Sequence, residues 1–407
     1  MRIAAAMVAG CLASTAGAQQ AASFADIVMQ AQRLSPRLIE LDADVRAAQG
    51  HAKQAGAWPT PTVGLEREDF GGTGLYRGSA NAQTTLSISE PLEFGGQRRA
   101  RREAGDAMVA AAQARQAQRR AELGYDLAFA YATAEASQAR IELLTEDLAR
   151  AREDVRSARA LVEAGKEGEL RAVQAEAAAS AAEADLEGAR ADSVEALTRL
   201  STLAGIAAPY SSVAPSLLNR SLPRRAEATE PPSANAPSVA TAEAERTSAA
   251  RRVVVEEKRL IPTPALSLGR RRIEGDDADV WVAGVSIPVP FKRNRGDLAG
   301  ARAELDAAEA RLTGARLEAD AASRIADVQA AAASTRLAAS GQGEASAREA
   351  YRLARIGYDA GRTPLFELQG ARRALTDAQL RSLDARLKQV LAEASLARLA
   401  GRIPFIE

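Results

Sequence analysis

The chain contains a long internal repeat, and this duplication constrains the fold more than any other feature of the sequence. Residues 151–205 align without a gap on residues 347–401 at a constant offset of 196, with 19 identities in 55 positions. Upstream, Pro59-Thr60-Pro61 returns as Pro262-Thr263-Pro264. The period of about 200 residues is far longer than the roughly 20–50 residues of a solenoid repeat. The sequence therefore predicts a duplicated half-protein in which each half has the same order of elements.

Composition favours long helices that pack closely. Aromatic residues make up 4% of the 407 residues and charged residues 26%, with 53 basic and 53 acidic side chains. Long alanine-rich stretches suit helices that approach each other through small side chains and keep their charges on the solvated faces. The balanced charge lacks the basic excess that nucleic-acid binding requires, so no nucleic-acid partner is expected.

The N-terminus has the form of a secretory signal peptide over residues 1–18. Arg2 precedes a short apolar run, and Ala16-Gly17-Ala18 is a small-residue cleavage site that ends at Ala18. The mature chain would then contain no cysteine, so no disulfide framework is expected. A second interpretation is a bacterial lipoprotein signal in which Cys11 carries a lipid anchor, and a third is a disordered tail.

Each repeat shows a helix, a strand pair and a long helical hairpin. Prolines end the first helix, period-two apolar patterns predict the strands, and a long stretch without proline predicts the outgoing helix of the hairpin. In the second turn, Gly361 suits a left-handed C′ position, Thr363 can cap the return helix, and Pro364 suits its first turn. In the first repeat, the predicted elements are a helix over 24–57 with a break at Ser35-Pro36, strands around 63–65 and 86–88, and helices over 97–163 and 168–205. In the second repeat, they are strands around 266–268 and 281–287, a helix over 297–360, and a return helix that ends at 401.

These elements divide the chain into a signal peptide (1–18), a first structural repeat (19–205), a linker (206–234) and a second structural repeat (235–407). No run of 18 or more apolar residues follows the signal, so no transmembrane helix is expected. The two strand pairs give four strands per chain. A membrane barrel needs about eight strands, and open strand edges are not tolerated in lipid. We therefore expect an oligomer that closes a shared barrel.

The alternation along the last strand predicts its two faces. Trp281, Ala283, Val285 and Ile287 are expected to face lipid or the interface between barrel and membrane, whereas Val282, Gly284 and Ser286 are expected to face the lumen.

The order helix, strand pair, long helix, turn and helix, twice over, resembles the TolC-like outer membrane efflux family. Residues 66–74 and 84–98 resemble its cobalt–zinc–cadmium (CzcC-type) resistance branch, and residues 285–296 are similar to the exit from the second strand pair in that branch. The resemblance implies a mainly α fold with a small β part. Long helical hairpins would form a periplasmic tunnel, and four strands per chain would contribute to a trimeric, twelve-stranded transmembrane β-barrel in the Gram-negative outer membrane.

The function implied by the resemblance is that of an exit channel of a tripartite pump, with divalent cobalt, zinc and cadmium as cargo. Its partners would be two further copies of the chain, a periplasmic adaptor (membrane fusion) protein, an inner-membrane RND-type transporter and outer-membrane lipid. Alternatives are a channel for drugs or other small molecules, a periplasmic adaptor, or a coiled-coil scaffold.

Neither an enzyme nor a resident metal site is expected. The sequence shows no set of nucleophile, base and orienting residue and no Gly-rich phosphate loop, so catalysis and cofactors are not predicted. His51 is the only histidine. One histidine without a mature cysteine cannot build a zinc site of the usual nitrogen and sulfur ligands.

The resemblance also implies a periplasmic gate near the helix turns, formed by five residues that we call the gate residues. Tyr358 matches a tyrosine that closes the tunnel tip, Glu367 matches an acidic ring residue, and Arg362 lies one place from the usual arginine. The first repeat offers Glu169 and Arg171. Gly370 departs from the family pattern, since it occupies the position of a second acidic residue. An ordinary solvated helical hairpin is the alternative interpretation of Tyr358 and Glu367.

The same resemblance implies that the two helix turns dock the adaptor. The residues concerned are Gly165 and Lys166 in the first turn and Gly361 and Thr363 in the second.

Overall fold

The computed structural model describes residues 19–20, 23–220, 236–289 and 295–406. Ala18, Cys11 and the string 290–294 lie outside the described residues. The described part contains the helices α1 (Phe24–Leu34), α2 (Pro36–Ala55), α3 (Gln97–Glu163), α4 (Glu169–Ala204), α5 (Pro237–Arg259), α6 (Arg295–Asp359) and α7 (Leu365–Leu399), and the strands β1 (Gln19–Gln20), β2 (Thr62–Glu68), β3 (Gln83–Pro91), β4 (Tyr210–Ser212), β5 (Ala265–Ile273) and β6 (Ala278–Ser286).

The helices follow the sequence pattern closely, with one correction at a cap. Helix α3 has the predicted bounds, and Ser35 ends α1 at the predicted break before Pro36 begins α2. Thr363 does not cap α7. The N-cap is Pro364, whose backbone is extended, and the amide of Thr363 instead donates to the carbonyl of Gly357. Because Pro364 itself has an extended backbone, the helix begins one residue later than predicted, and Thr363 lies outside its cap position.

The chain forms two compact units. The first contains described residues of 1–39, 119–232 and 321–407, and the second contains those of 40–118 and 233–320. Each unit includes segments of both sequence repeats. The boundary between the repeats is therefore not the boundary between the compact units.

A four-stranded antiparallel sheet lies in the second unit. Its strand order is β2-β3-β5-β6, so the strand pair of the first repeat joins that of the second through β3 and β5. The register pairs Leu65 with Leu86, Leu86 with Arg270, and Arg270 with Trp281. Both outer strands, β2 and β6, have one edge without a strand partner among the described residues.

The helices pack through alanine and leucine, as the composition predicts. In the first unit, Leu144, Leu148 and Ala151 of α3 pack in one cluster with Ala182 and Leu186 of α4. A separate cluster in the second unit joins α5 to α6, where Val239 and Ala242 pack with Leu312 and Ala319. Because small side chains fill these contacts, neighbouring helices are held mainly by close van der Waals packing. None of the described helices contains a stretch long and apolar enough to cross a bilayer.

Both repeats end their helices with the same backbone motif. At the first turn, Gly165 donates to Val162 at 2.9 Å and Lys166 donates to Leu161 at 2.9 Å. At the second turn, Gly361 donates to Tyr358 at 2.9 Å and Arg362 donates to Gly357 at 2.8 Å. This pair of bonds is the Schellman motif, and its left-handed residue is the glycine, with φ of 67° at Gly165 and 70° at Gly361. The turns are therefore equivalent in backbone conformation, at the offset of the sequence repeat.

Residues 214–218, near the start of the linker, are hydrogen-bonded to side chains of α3. The buried carboxylate of Glu135 accepts from the amides of Leu217 at 3.0 Å and Leu218 at 3.2 Å, and the hydroxyl of Tyr131 donates to the carbonyl of Ala214 at 2.6 Å. Burial raises the pKa of Glu135. These bonds satisfy buried polar groups that would otherwise cost free energy, so they fix residues 214–218 on the helix.

We expect Gly205→Ala to destabilise the first unit. Gly205 follows α4 with φ of 79°, and a Cβ there would lie 2.5 Å from the carbonyl oxygen of Leu34. The left-handed conformation alone costs about 1–2 kcal/mol for a residue with a Cβ, and the overlap adds to that cost. Thermal unfolding of the purified protein measures the loss.

Gly188→Ala is the matched control. Gly188 lies within α4, and a Cβ there meets nothing within 4 Å. Alanine favours a helix interior over glycine by about 1 kcal/mol, so this variant should be neutral or slightly more stable. Equal melting temperatures for the two variants would contradict the strained turn.

Candidate functional site

The four-stranded sheet has one apolar and one polar face. Residues paired across neighbouring strands point to the same side of a sheet. The register therefore places most of the large apolar side chains on one face, while Ile273, Val280 and Val282 lie on the other. It confirms the predicted alternation of Trp281, Ala283 and Val285 against Val282, Gly284 and Ser286. The apolar face carries Val63, Leu65, Leu86, Ile88, Leu266, Leu268, Trp281, Ala283 and Val285, and the opposite face carries Gly64, Glu66, Glu68, Gln83, Thr85, Ser87, Ser267, Arg271 and Ser286.

Three consecutive arginines of β5 divide between these two faces. On the polar face, Arg271 donates to the hydroxyl of Thr85 at 2.9 Å and forms an ion pair with Glu68 at 3.2 Å. Arg270 lies on the other face and pairs with Asp279 at 2.8 Å. Arg272 pairs with Asp277 and Asp279. Asp277 and Asp279 of the β5–β6 turn region are thus paired with arginine, which argues against an open cation site at these two carboxylates.

The string that resembles the CzcC-type branch forms the connection between the first strand pair and its helices. Arg98 stacks over the ring of Trp58, with its guanidinium carbon 4.2 Å from the ring centroid, and donates to the carbonyl of Gly56 at 2.7 Å. Arg101 donates to the carbonyl of Ala55 at 3.0 Å and is paired with Glu93. These bonds satisfy carbonyls at the C-terminal end of α2, where cations are also favoured by the helix dipole.

Tyr358 lies at the second helix turn and packs inside the first unit. It is half-buried against a cluster of Ala158, Ala175, Leu365 and Leu368, which come from α3, α4 and α7. Burial raises the pKa of the Tyr358 phenol, and the carboxylate of Asp154 adds to this effect. The tyrosine therefore ties the turn to the neighbouring helices through packing.

The other gate residues are more accessible. Arg362, Glu367 and Glu169 are exposed, whereas Arg171 is half-buried and forms an ion pair with Glu167 at 3.6 Å. Arg171 and Glu367 are equivalent in the two repeats, since each donates its amide to the carbonyl three residues earlier, at 3.0 Å. The equivalent positions thus carry opposite charges. Within the described part of the chain, no ion pair joins Arg362 to Glu367.

The two helix turns present equivalent apolar side chains beside their glycines. Leu170 is the second residue of α4 and Phe366 the second residue of α7, at the offset of the repeat, and they are 67% and 68% exposed. Gly165, Lys166 and Gly361 are exposed as well. Each tip therefore combines a rigid Schellman turn with one large accessible apolar group.

The sequence analysis missed a buried ion cluster close to the second turn. Arg372 of α7 is 2% exposed, and its Nη1 atom lies 2.8 Å from Oδ1 of Asp147, while its Nε atom lies 3.3 Å from Oδ2 of Asp154. The hydroxyl of Thr376 donates to Asp147 at 2.7 Å. Burial raises the pKa of Asp154 even though Arg372 opposes that shift.

A sequence signal for this cluster exists. Asp147 and Asp154 are seven residues apart in the buried stripe of α3 that also contains Leu144 and Ala151, and Arg372 lies between Leu368 and Leu375 in the buried stripe of α7. Charged residues at core positions of two helices indicate a buried pair, because an unpaired buried charge is very costly. The partner helix could not have been named from periodicity alone.

No group of three or more histidine, cysteine, aspartate or glutamate side chains in the described residues is arranged to hold a metal ion.

The fold is that of outer-membrane channel proteins. The structure of the CmeC outer membrane channel of Campylobacter jejuni matches with a TM-score of 0.81 at 14% sequence identity, covering 94% of this chain and 87% of that chain. At such low sequence identity, the structural match shows a shared fold and nothing further.

The sequence establishes the family. The model of the family described as outer membrane efflux protein matches residues 27–206 and 233–402, one segment in each repeat. The chain belongs to the outer membrane efflux protein family. It is therefore a transport protein of the outer membrane, and the TolC-like resemblance is confirmed.

Curated relatives lie in the metal-resistance branch. The chain is similar to the nickel-cobalt-cadmium resistance protein NccC of Alcaligenes xylosoxydans xylosoxydans, with 42% identity over 391 residues, which is 96% of this chain and 89% of that protein. It is also similar to the nickel and cobalt resistance protein CnrC of Cupriavidus metallidurans, with 44% identity over 300 residues, which is 71% of each chain. The branch expected from the strand-pair strings is confirmed.

We expect Leu268→Arg to impair insertion into the outer membrane. Leu268 is in the middle row of the apolar face, paired with Ile88 and Ala283. Arginine on a lipid-facing strand costs about 2–4 kcal/mol at the bilayer midplane and about 0–1 kcal/mol near its edges. Val285 lies one row closer to the strand end, in the same row as Glu90, so the same charge should cost less there.

Ser267→Arg is the matched control, because the adjacent residue points to the polar face. The amount of each variant recovered in outer-membrane fractions measures insertion. Equal recovery of the Leu268 and Ser267 variants would show that the faces are assigned the wrong way round.

Proposed function

We propose that the protein is the exit channel of a tripartite efflux pump and that it exports divalent heavy-metal cations. The similarity to NccC and CnrC over most of the chain carries the proposal. In this assembly three copies close their four-stranded sheets into one twelve-stranded wall, with the apolar face toward lipid and the polar face toward the lumen. The long helices extend into the periplasm as a tunnel toward an adaptor and an inner-membrane RND-type transporter.

The composition of the chain suits a conduit for transition metals. Imidazole and thiolate groups bind these cations most strongly, and the whole sequence has one histidine and one cysteine. A passage lined by carboxylates, hydroxyls and backbone groups attracts cations weakly and releases them. Selectivity for the metal then resides in the transporter, and the channel only has to let the ion pass.

Deletion of the gene tests the substrate class. We expect the deletion strain to lose tolerance to nickel, cobalt, cadmium or zinc salts and to accumulate the same metal, measured by elemental analysis of washed cells. Plasmid-borne wild-type protein should restore tolerance, and Leu268→Arg should not. Increased sensitivity to organic antibiotics with unchanged metal tolerance would favour a drug channel instead.

The helix turns are the proposed docking surfaces for the adaptor. Gly165 and Lys166 in one turn and Gly361 and Thr363 in the other share one backbone conformation, and exposed Leu170 and Phe366 offer equivalent apolar contacts. Two similar sites per chain would accept helical hairpins of an adaptor. Cross-linking from a cysteine at Lys166 or Thr363 tests the assignment, and no adduct with the adaptor from either turn would contradict it.

The five gate residues are proposed to narrow the tunnel at this end. In a threefold assembly of duplicated chains, the equivalent positions Arg171 and Glu367 alternate around the axis. Three Glu367 carboxylates brought together would repel one another, so the intervening arginines would stabilise the closed ring. Glu169 and Arg362 would add one charge of each sign to each chain.

We expect Glu367→Ala combined with Tyr358→Phe to loosen this ring and raise single-channel conductance in planar bilayers. Cells that carry the variant should also become more permeable to large antibiotics. Asp377→Asn is the control, since it removes an exposed carboxylate ten residues further along α7, about 15 Å from Glu367. Wild-type conductance in the double variant would leave these residues as ordinary surface positions.

A further inference from the structure

The two helical hairpins carry different charges at one pair of equivalent positions. In the first repeat, Arg159 of α3 and Glu176 of α4 form an exposed ion pair at 2.6 Å. At the offset of 196 the second repeat has Arg355 in α6 and Arg372 in α7. Two arginines cannot form such a pair, so the second hairpin lacks the internal link of the first.

Both arginines of the second hairpin bind carboxylates of α3 instead. Nη2 of Arg355 lies 2.8 Å from Oε1 of Glu153, and this bond lowers the pKa of the glutamate. Arg372 reaches Asp147 and Asp154 of the same helix. Three acidic residues within two turns of α3 therefore receive one arginine from each helix of the other repeat.

Burial makes the Arg372 contact different in kind from the surface pairs. The side chains of Arg372, Asp147 and Asp154 are 3%, 12% and 7% exposed. Removing one partner of a buried pair leaves an uncompensated charge, whereas exposed pairs contribute little. Nε of Arg372 and Oδ2 of Asp154 also lack a hydrogen-bond partner among the described residues, although they are 3.3 Å apart. Removing one partner of the contact between α7 and α3 is therefore costly, and the contact itself is incompletely bonded.

The cluster lies directly behind the second turn. Leu365 and Leu368 of α7 pack with Ala158 of α3, one turn beyond Asp154, and Tyr358 packs against the same cluster. Burial and, to a smaller extent, the carboxylate of Asp154 raise the pKa of the Tyr358 phenol. Any displacement of α7 from α3 must therefore disturb the packing of Tyr358.

We propose that Arg372 is a positioning residue for the gate: it holds α7, and with it the turn that carries Tyr358, Arg362 and Glu367, against α3. This inference rests on the proposed gate. The first repeat has an ion pair within its own hairpin, whereas the arginines of the second hairpin pair with the opposite repeat. Opening then requires the α6–α7 hairpin to leave the carboxylates of α3.

Arg372→Gln should raise single-channel conductance several-fold in planar bilayers. Arg373→Gln is the matched control, since Arg373 is the adjacent arginine on the exposed side of α7, and it should conduct as the wild type does. Arg372→Lys, which retains the charge, should fall between the two. Wild-type conductance in an intact Arg372→Gln assembly would overturn the proposal.

A bridged cysteine pair separates positioning from a general loss of structure. Glu153→Cys with Arg355→Cys places two thiols at facing positions of α3 and α6. In the Arg372→Gln background, a short bifunctional thiol reagent should bridge them in lower yield than with Arg372 present. The bridged molecules should regain low conductance. Unchanged yield, or high conductance after bridging, would show that the two helices do not part.

Asp154→Asn provides a second, nearly isosteric variant that retains the bond between Arg372 and Asp147. It should lower the bridging yield by less than Arg372→Gln does. If the Arg372 variant fails to fold, Asp154→Asn still tests whether this ion cluster holds the hairpin against α3. The bridging yield requires no channel activity. A wild-type protein without conductance would therefore count against the proposed function, while an unchanged yield in both variants would count against Arg372.

Discussion

The unpaired edges of β2 and β6 are the constraint on which the proposed assembly depends. An outer-membrane protein must satisfy the backbone N–H and C=O groups of these edges, because each unbonded group costs several kcal/mol in lipid. The order β2-β3-β5-β6 leaves one edge of each outer strand without a partner among the described residues. Pairing β6 of one chain with β2 of the next would satisfy both edges, and the proposed threefold assembly would close that pairing into a ring.

The duplication gives the chain two similar halves, and its function as a gated channel would use the positions at which they differ. The turns at Gly165 and Gly361 have the same hydrogen bonds, so the backbone at the tip is repeated. The charges are not repeated, since Arg171 is equivalent to Glu367 and Glu176 is equivalent to Arg372. The difference between Arg171 and Glu367 would alternate the charge at the proposed constriction. The difference between Glu176 and Arg372 lets the second hairpin pair with the first repeat. Because the two turns share one backbone conformation but differ in charge, ion pairs between the repeats could hold the proposed gate closed and could separate when it opens.

The sequence predicted features that depend on local chemistry. The bounds of α3, the break at Ser35, the left-handed glycines and the strand faces follow from proline, glycine and apolar periodicity. The cap at Thr363 was predicted wrongly because the following proline shifts the helix start by one residue. Two features could not be predicted in full because their partners are far apart in the sequence. The strands of the short pair β1–β4 are about 190 residues apart, and Arg372 is 225 residues from Asp147. Periodicity shows that a charged residue is buried, but it does not show which helix supplies its partner.

The mass of the purified protein in mild detergent tests the central claim most directly. Native mass spectrometry of the wild-type protein should give three copies of the chain in one complex, because only a closed set of sheets leaves no strand edge exposed to the hydrocarbon of the micelle or the membrane. A stable, well-folded monomer under the same conditions would contradict the account, since its edges would then remain unpaired without cost.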